Sequence, residues 1–157
     1  MKPNAPLVAI AALFAGMSAS YPAYADGTGV CKITPALVQA TFGFSAQGQA
    51  LAGNLLGIPP GAFAQTGTAT GQSATQSGTA ITGRWSTVFE QNDSSAKLTI
   101  HTFAGNYTVS TTSCTGDFSW DKVGVVFHAV FVDQGNEFRS ISTLPGLIIS
   151  YASGKKL

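Results

Sequence analysis

The stretch LTIHTFAGNYTVSTTSCTGDFSWDKVGVVFHAVFV, residues 98–132, decides the fold. Its hydrophobic period is two. Leu98 and Ile100 alternate with Thr99 and His101, Tyr107 and Val109 with Thr108 and Ser110, and Phe118 and Trp120 with Ser119 and Asp121. Successive side chains of an extended chain point to opposite faces, so this pattern describes strands with one face buried and one face wet. The last run differs: Val125, Phe127, Ala129 and Phe131 share one face, while Val126, His128, Val130 and Val132 share the other, giving a strand apolar on both sides.

Turn chemistry separates the runs: Asn92-Asp93-Ser94, Ala104-Gly105-Asn106, Thr115-Gly116 and Gln134-Gly135-Asn136. Working outward at this spacing, strands are expected near 40–47, 61–70, 78–90, 96–103, 106–113, 115–121, 124–133, 136–143 and 146–152, with neighbouring segments able to fuse. Thr34-Pro35 is placed to cap one helical turn through Gln39, because proline at the first helical position gives up no bonded donor. From Gln65 to Ala80 the chain carries no charge and little to bury, which reads as a long polar hairpin with a loose tip, or as a disordered or binding loop. Gly43, Gly53, Gly57, Gly61 and Gly83 are candidates for the kinks and bulges that bend strands. The fold class expected is all-β, a single antiparallel barrel of about eight strands, lipocalin-like. Closure removes the sheet edges that so lightly charged a chain would otherwise expose. A two-sheet β-sandwich accommodates the same pattern.

Residues 1–25 read as a secretory signal peptide. Lys2 supplies the positive start, Ala5 to Ala15 is an apolar run shorter than a membrane span, and Ala23-Tyr24-Ala25 is a small-x-small cleavage site. An N-terminal membrane anchor is the competing reading. Cleavage after Ala25 leaves residues 26–157 as the barrel domain, with seven basic and seven acidic residues and no further run of membrane length. The mature chain is therefore expected to be secreted or periplasmic. In an oxidising compartment Cys31 and Cys114, the only cysteines, pair as a disulfide staple. Thr28-Gly29-Val30 lacks the Leu and small residues that precede an acylated lipoprotein cysteine. Just 10% of the whole chain is charged, and its net charge is +1, which excludes the clustered Lys and Arg that a nucleic-acid surface needs.

Gly105-x-Tyr107-Thr108-Val109, Cys114-Thr115-Gly116, Asp133-x-Gly135, Glu137-x-Arg139-x-Ile141-x-Thr143-x-Pro145-Gly146 and a closing Ser153-Gly154-Lys155-Lys156 together resemble a family of uncharacterised exported bacterial β proteins, similar in turn to lipocalin-type and allene-oxide-cyclase-type barrels. The resemblance covers about residues 105–156 and implies a fold, not an activity. Ser113 stands where the family has Asn or Asp, and Leu144 where it often has Asp.

Glu137 and Arg139 lie two apart, on one face of a strand, with Ile141 and Thr143 beyond them. Facing inward they would have to pair or meet a polar ligand group; facing water they would contribute little. The opposite face, Phe138, Ser140 and Ser142, makes no better core stripe, so the inward orientation is adopted. His128 sits in the apolar strand, as a core histidine or a general base. Asp117 and Asp121 read as solvated acids at turn ends. With Trp120 and Tyr107 as aromatic walls, Glu137, Arg139 and His128 complete the ligand-contact candidates. No metal-ligand spacing and no cofactor motif occurs. Three readings of function follow: a binding protein for a small apolar molecule, a cyclase or isomerase in which Glu137, Arg139 or His128 assists, and a structural or interaction protein of the cell envelope with a filled barrel. Lumen volume discriminates among them.

Overall fold

The computed structural model describes residues 31–54, 57–121, 123–142, 144 and 146–157. The expected signal peptide and Asp26 lie outside the described residues. Eight antiparallel strands close into a barrel in sequence order, each bonded to the next and the last to the first: β1 (Thr41–Ala50), β2 (Gly61–Ser77), β3 (Ala80–Asn92), β4 (Leu98–Ser110), β5 (Thr115–Trp120), β6 (Gly124–Val132), β7 (Glu137–Ser142) and β8 (Leu147–Lys156). The barrel is the architecture expected, and the sandwich is excluded because β1 pairs with both β2 and β8.

Sorting follows the period of two. Along β3, Ile81, Trp85, Thr87, Phe89 and Gln91 are buried while Thr82, Val88, Glu90 and Asn92 are exposed. On β4, Tyr107 and Val109 are buried between exposed Asn106 and Thr108. Among the described residues apolar side chains fill the inside, while the outside carries polar side chains together with exposed Val88, Leu98, Ile100 and Ile141.

Three expectations are corrected. On β4 the alternation is the reverse of that read for its first residues: Leu98 and Ile100 are exposed, 61% and 69%, while His101 stacks on Phe89. Thr115-Gly116 begins β5 and the turn precedes it, at residues 111–113. Ala104-Gly105-Asn106 is no turn; β4 runs through it unbroken. A Cβ on Gly105 would collide with the Ser119 carbonyl and the Trp120 Cα, so this glycine lets β5 approach closely. The polar segment 65–80 is the long hairpin expected, not a disordered or binding loop: it forms the distal part of β2–β3, in register to Ser77↔Ala80, with Gly78 at φ +58° opening its two-residue turn. It needs no buried stripe of its own because cross-strand bonds hold it and Tyr107 reaches it from β4. Among the glycines singled out, Gly53, Gly57 and Gly61 adopt positive φ in and at the end of the β1–β2 connection, whereas the register shifts of β1–β8 and β2–β3 fall at Gln47/Gly48 and Gly71/Ser73.

Helix α1 (Pro35–Val38) forms where Thr34 accepts a hydrogen bond from the Leu37 amide, 3.3 Å, and Pro35 occupies the first turn. The segment caps one end of the barrel. Ile33 and Val38 are buried in the core, and Leu37 and Ile33 pack over Gly135, where φ is +89° and a Cβ would strike Leu37. Cys31 is bridged to Cys114, at the β4–β5 turn, with Cα atoms 5.5 Å apart. The bridge thus ties the cap to the barrel wall. At the other end Asn54 is buried and organises the β1–β2 connection: its Nδ2 donates to the Leu51 and Ile58 carbonyls, both 2.8 Å, and its Oδ1 accepts from the Ile58 amide. Ile58 and Leu144 close that end with apolar surface.

Candidate functional site

The inward faces of the strands enclose a cavity of about 80 Å³. Its wall is mainly aromatic: Phe42 and Phe44 from β1, Trp85 and Phe89 from β3, Tyr107 from β4, Phe118 and Trp120 from β5, Phe127 and Phe131 from β6, and Phe138 from β7. Val38 of the capping helix reaches it, and Ala46, Ala69, Ala129 and Ala152 leave the space that the rings do not fill. Rings meet edge to face or stacked, as Trp85 with Phe118 at 5.3 Å and Phe103 with Trp120 at 4.1 Å, arrangements that lock a rigid wall.

The few polar groups in this wall are largely committed elsewhere. Gln65 Nε2 donates to Gln91 Oε1 at 2.9 Å, the Thr87 hydroxyl to the Thr68 carbonyl at 3.0 Å, and the Tyr107 hydroxyl to the Ser73 carbonyl at 2.6 Å. Burial pushes the Tyr107 phenol above its ordinary pKa, keeping it the neutral donor that this bond requires. Trp85 Nε1 donates to the Ser119 carbonyl at 3.0 Å. The Trp120 indole, 3% exposed, differs: its buried Nε1–H finds no acceptor among the described residues. A buried donor left unbonded costs about 1–3 kcal/mol.

Trp120 and Tyr107 therefore stand in the lumen wall, as their alternation with polar neighbours indicated. The inward orientation adopted for Glu137 and Arg139 is overturned. Arg139 is exposed, and Glu137 pairs with Lys155 on the outside at 3.4 Å. The inward row of β7 is Phe138 and Ser140, and the cause lies on the neighbouring strand. Gly154 of β8 has no side chain, and the Phe138 ring lies over the vacant face while meeting Phe42 and Phe131 edge to face. Thr143, the continuation of the Glu137 row, lies outside the described residues. His128 also faces outward, with Nδ1 2.7 Å from Asp117 Oδ1 across the β5–β6 pair and both side chains about half exposed. It is neither a core histidine nor a base directed at the lumen. Asp121 is held by Arg84 through a two-pronged contact, 2.8 Å on each arm, so both acids sit at the wet surface as the sequence indicated.

Residues that sequence reasoning missed include Phe44, Gln65, Trp85, Thr87 and Phe89. The β3 members were legible as the alternation Trp85, Thr87, Phe89; Gln65 was hidden by a segment without apolar contrast. The other histidine, His101, lies between aromatic rings, stacked on Phe89 at 5.2 Å and near-parallel to Phe103 at 5.9 Å, and this burial lowers its pKa. Among the described residues no cluster of His, Cys, Asp or Glu could hold a metal ion, and no helix is long and apolar enough to cross a membrane. No family model, no curated protein and no solved structure matches the chain.

Proposed function

We propose that the protein is an exported binding protein whose lumen receives a slim apolar molecule, or the leading end of one. The observation that carries this reading is the aromatic compartment of about 80 Å³, whose described wall residues include no charged side chain. A dry apolar cavity of about 150 Å³ suffices for benzene, and drug-sized ligands need about 300 Å³ or more. The occupant is accordingly small, or only its tip enters. Export rests on the N-terminal pattern of residues 1–25 and fits a bridged Cys31–Cys114 pair, since such bridges persist in oxidising compartments. The resemblance to exported barrel-forming β proteins is in keeping with it. The cyclase-type alternative loses its proposed groups, because Glu137, Arg139 and His128 lie on the outer face.

The same modest volume favours a second reading, a barrel filled by its own side chains that serves as a structural element of the envelope. Mass spectrometry of gently purified protein, joined to a titration with small alkanes followed by tryptophan emission, separates the two. The binding reading expects a small apolar adduct or a saturable change. Absence of both leaves the filled barrel. Sequencing of the exported chain is expected to begin at Asp26; a start at Met1 would remove the export reading.

A further inference from the structure

β4 outruns the strand that follows it. β5 pairs with β4 only from Gly105 to Val109, and the Asp121 amide then bonds the Ala104 carbonyl; from Leu98 to Phe103 no backbone group among the described residues bonds that side of β4. In an antiparallel ladder one residue in two turns both its N–H and its C=O toward a given neighbour. The Thr111 amide, one residue past β4, bonds the Thr79 carbonyl of the β3 side, so odd-numbered residues serve β3, while Ala104 shows that even-numbered ones face the β5 side. Leu98, Ile100 and Thr102 therefore direct their amides and carbonyls to the side where β5 has ended. Their side chains point outward: Leu98 and Ile100 are exposed, as is Val88, which stands beside Thr102 on β3. Natural sheets guard such an edge with Lys, Pro or a bulge. Residues 98–103 contain neither Lys nor Pro, and the β3–β4 register runs without a shift.

We propose that this edge pairs with the same edge of a second copy of the chain, antiparallel and centred on Ile100, giving a two-fold dimer whose sheet continues from one barrel into the other. The occupant follows from self-complementarity. Run antiparallel against itself about Ile100, the edge sets Ile100 opposite Ile100 and Leu98 opposite Thr102, so every amide of these three residues meets a carbonyl of the other copy. Charge does not oppose the pairing. Residues 98–103 hold no Lys, Arg, Asp or Glu, and residues 26–157 carry seven basic and seven acidic residues, so two copies have no net charge to keep them apart. The outward Leu98, Ile100 and Val88 of each copy join in one apolar strip across the seam. Five residues a side, Leu98 to Thr102, are few beside the roughly 20–30 of a standard interface, which makes the dimer reversible and concentration-dependent. The dimer is independent of what the lumen holds.

Sedimentation of the wild type from about 10 μM to about 1 mM, the range in which so small an interface assembles, should show the average mass rising from one chain toward two. Amide hydrogen exchange over the same range identifies the edge. Leu98, Ile100 and Thr102 should gain protection with concentration, whereas Thr99 and His101, already bonded to β3, should not change. Ile100→Lys and Ile100→Glu each set like charges face to face at the axis and should weaken dimerisation by about tenfold or more, and an equimolar mixture of the two should restore it. Ile100→Pro, which removes an amide that β3 does not use, should also remain monomeric. The wild-type exchange pattern decides the matter even if a variant folds poorly. A wild type still monomeric at about 1 mM, a dimer whose protection falls elsewhere or which survives Ile100→Lys, or a Lys and Glu mixture that stays monomeric overturns the proposal.

Discussion

Replacing both bridged cysteines, Cys31→Ser with Cys114→Ser, should remove about 4.5 kcal/mol of stability. The figure comes from the 83-residue separation of the pair: in the chain-entropy treatment, closing a loop of that length restricts the unfolded ensemble by about 15 cal/mol/K. The structure adds a reason for the native state to suffer as well. The bridge anchors the segment bearing Ile33 and Val38, both buried against the core, to the β4–β5 turn. Without it the cap is held by apolar contact and by the Gly71 amide of β2, which donates to the Ala40 carbonyl. The assay is urea unfolding at constant pH, compared as extrapolated free energies rather than midpoints, because the unbridged chain unfolds to a more expanded state and its denaturant slope should rise. A loss below about 1 kcal/mol, far under the chain-entropy figure, would refute the reasoning, and so would recovery of both thiols free from the native wild type. If the bridge only pinned the cap, hydrogen exchange would quicken in residues 31–40 alone with global stability intact; the account expects both to change.

Gly105→Ala should destabilise by about 2 kcal/mol or more, as overpacking against backbone does, because the added methyl meets the Ser119 carbonyl and Trp120 Cα; thermal unfolding measures it, and an unchanged midpoint would contradict the close approach. Ala129→Leu places its extra atoms in the cavity wall and should be neutral or stabilising by about 1 kcal/mol while abolishing uptake of small apolar molecules, whereas a packed lumen would make it destabilising. His101 has its pKa lowered by burial, so its native state favours the neutral ring. Its contribution is present above the unfolded value of about 6.5 and lost as pH falls toward the lowered native value. Unfolding free energies at about pH 7.5 and about pH 5 should therefore differ less in His101→Gln than in the wild type; an identical pH dependence would show that His101 is not the group responsible.

Contrast between alternate residues was legible in the sequence but did not decide every face: Leu98 and Ile100 against Thr99 and His101 is an explicit contrast, yet both aliphatic residues face outward and His101 packs on Phe89. Phe118 and Trp120 against Ser119 and Asp121 located β5 and put Trp120 inside, and Thr34-Pro35 placed the helical turn. The orientation of β7 was not legible. Glu137-Phe138-Arg139-Ser140-Ile141-Ser142 carries one apolar residue on each row, and the decision belongs to Gly154, on another strand, which offers Phe138 a place to lie. Gly105 misled for a related reason. A glycine that permits a turn and a glycine that permits close approach look the same until the neighbouring strand is known. The unserved donor of Trp120 was likewise beyond sequence, since it depends on where every nearby acceptor points.

The central claim is that the barrel retains a dry apolar compartment able to admit a guest. Xenon under pressure, followed through the side-chain signals of Trp85 and Trp120 in wild type and in Ala129→Leu, tests it most directly. The account predicts a saturable perturbation of both indoles in the wild type and its loss in the filled variant. Indoles that ignore xenon in both proteins would show the compartment closed to guests and contradict the account.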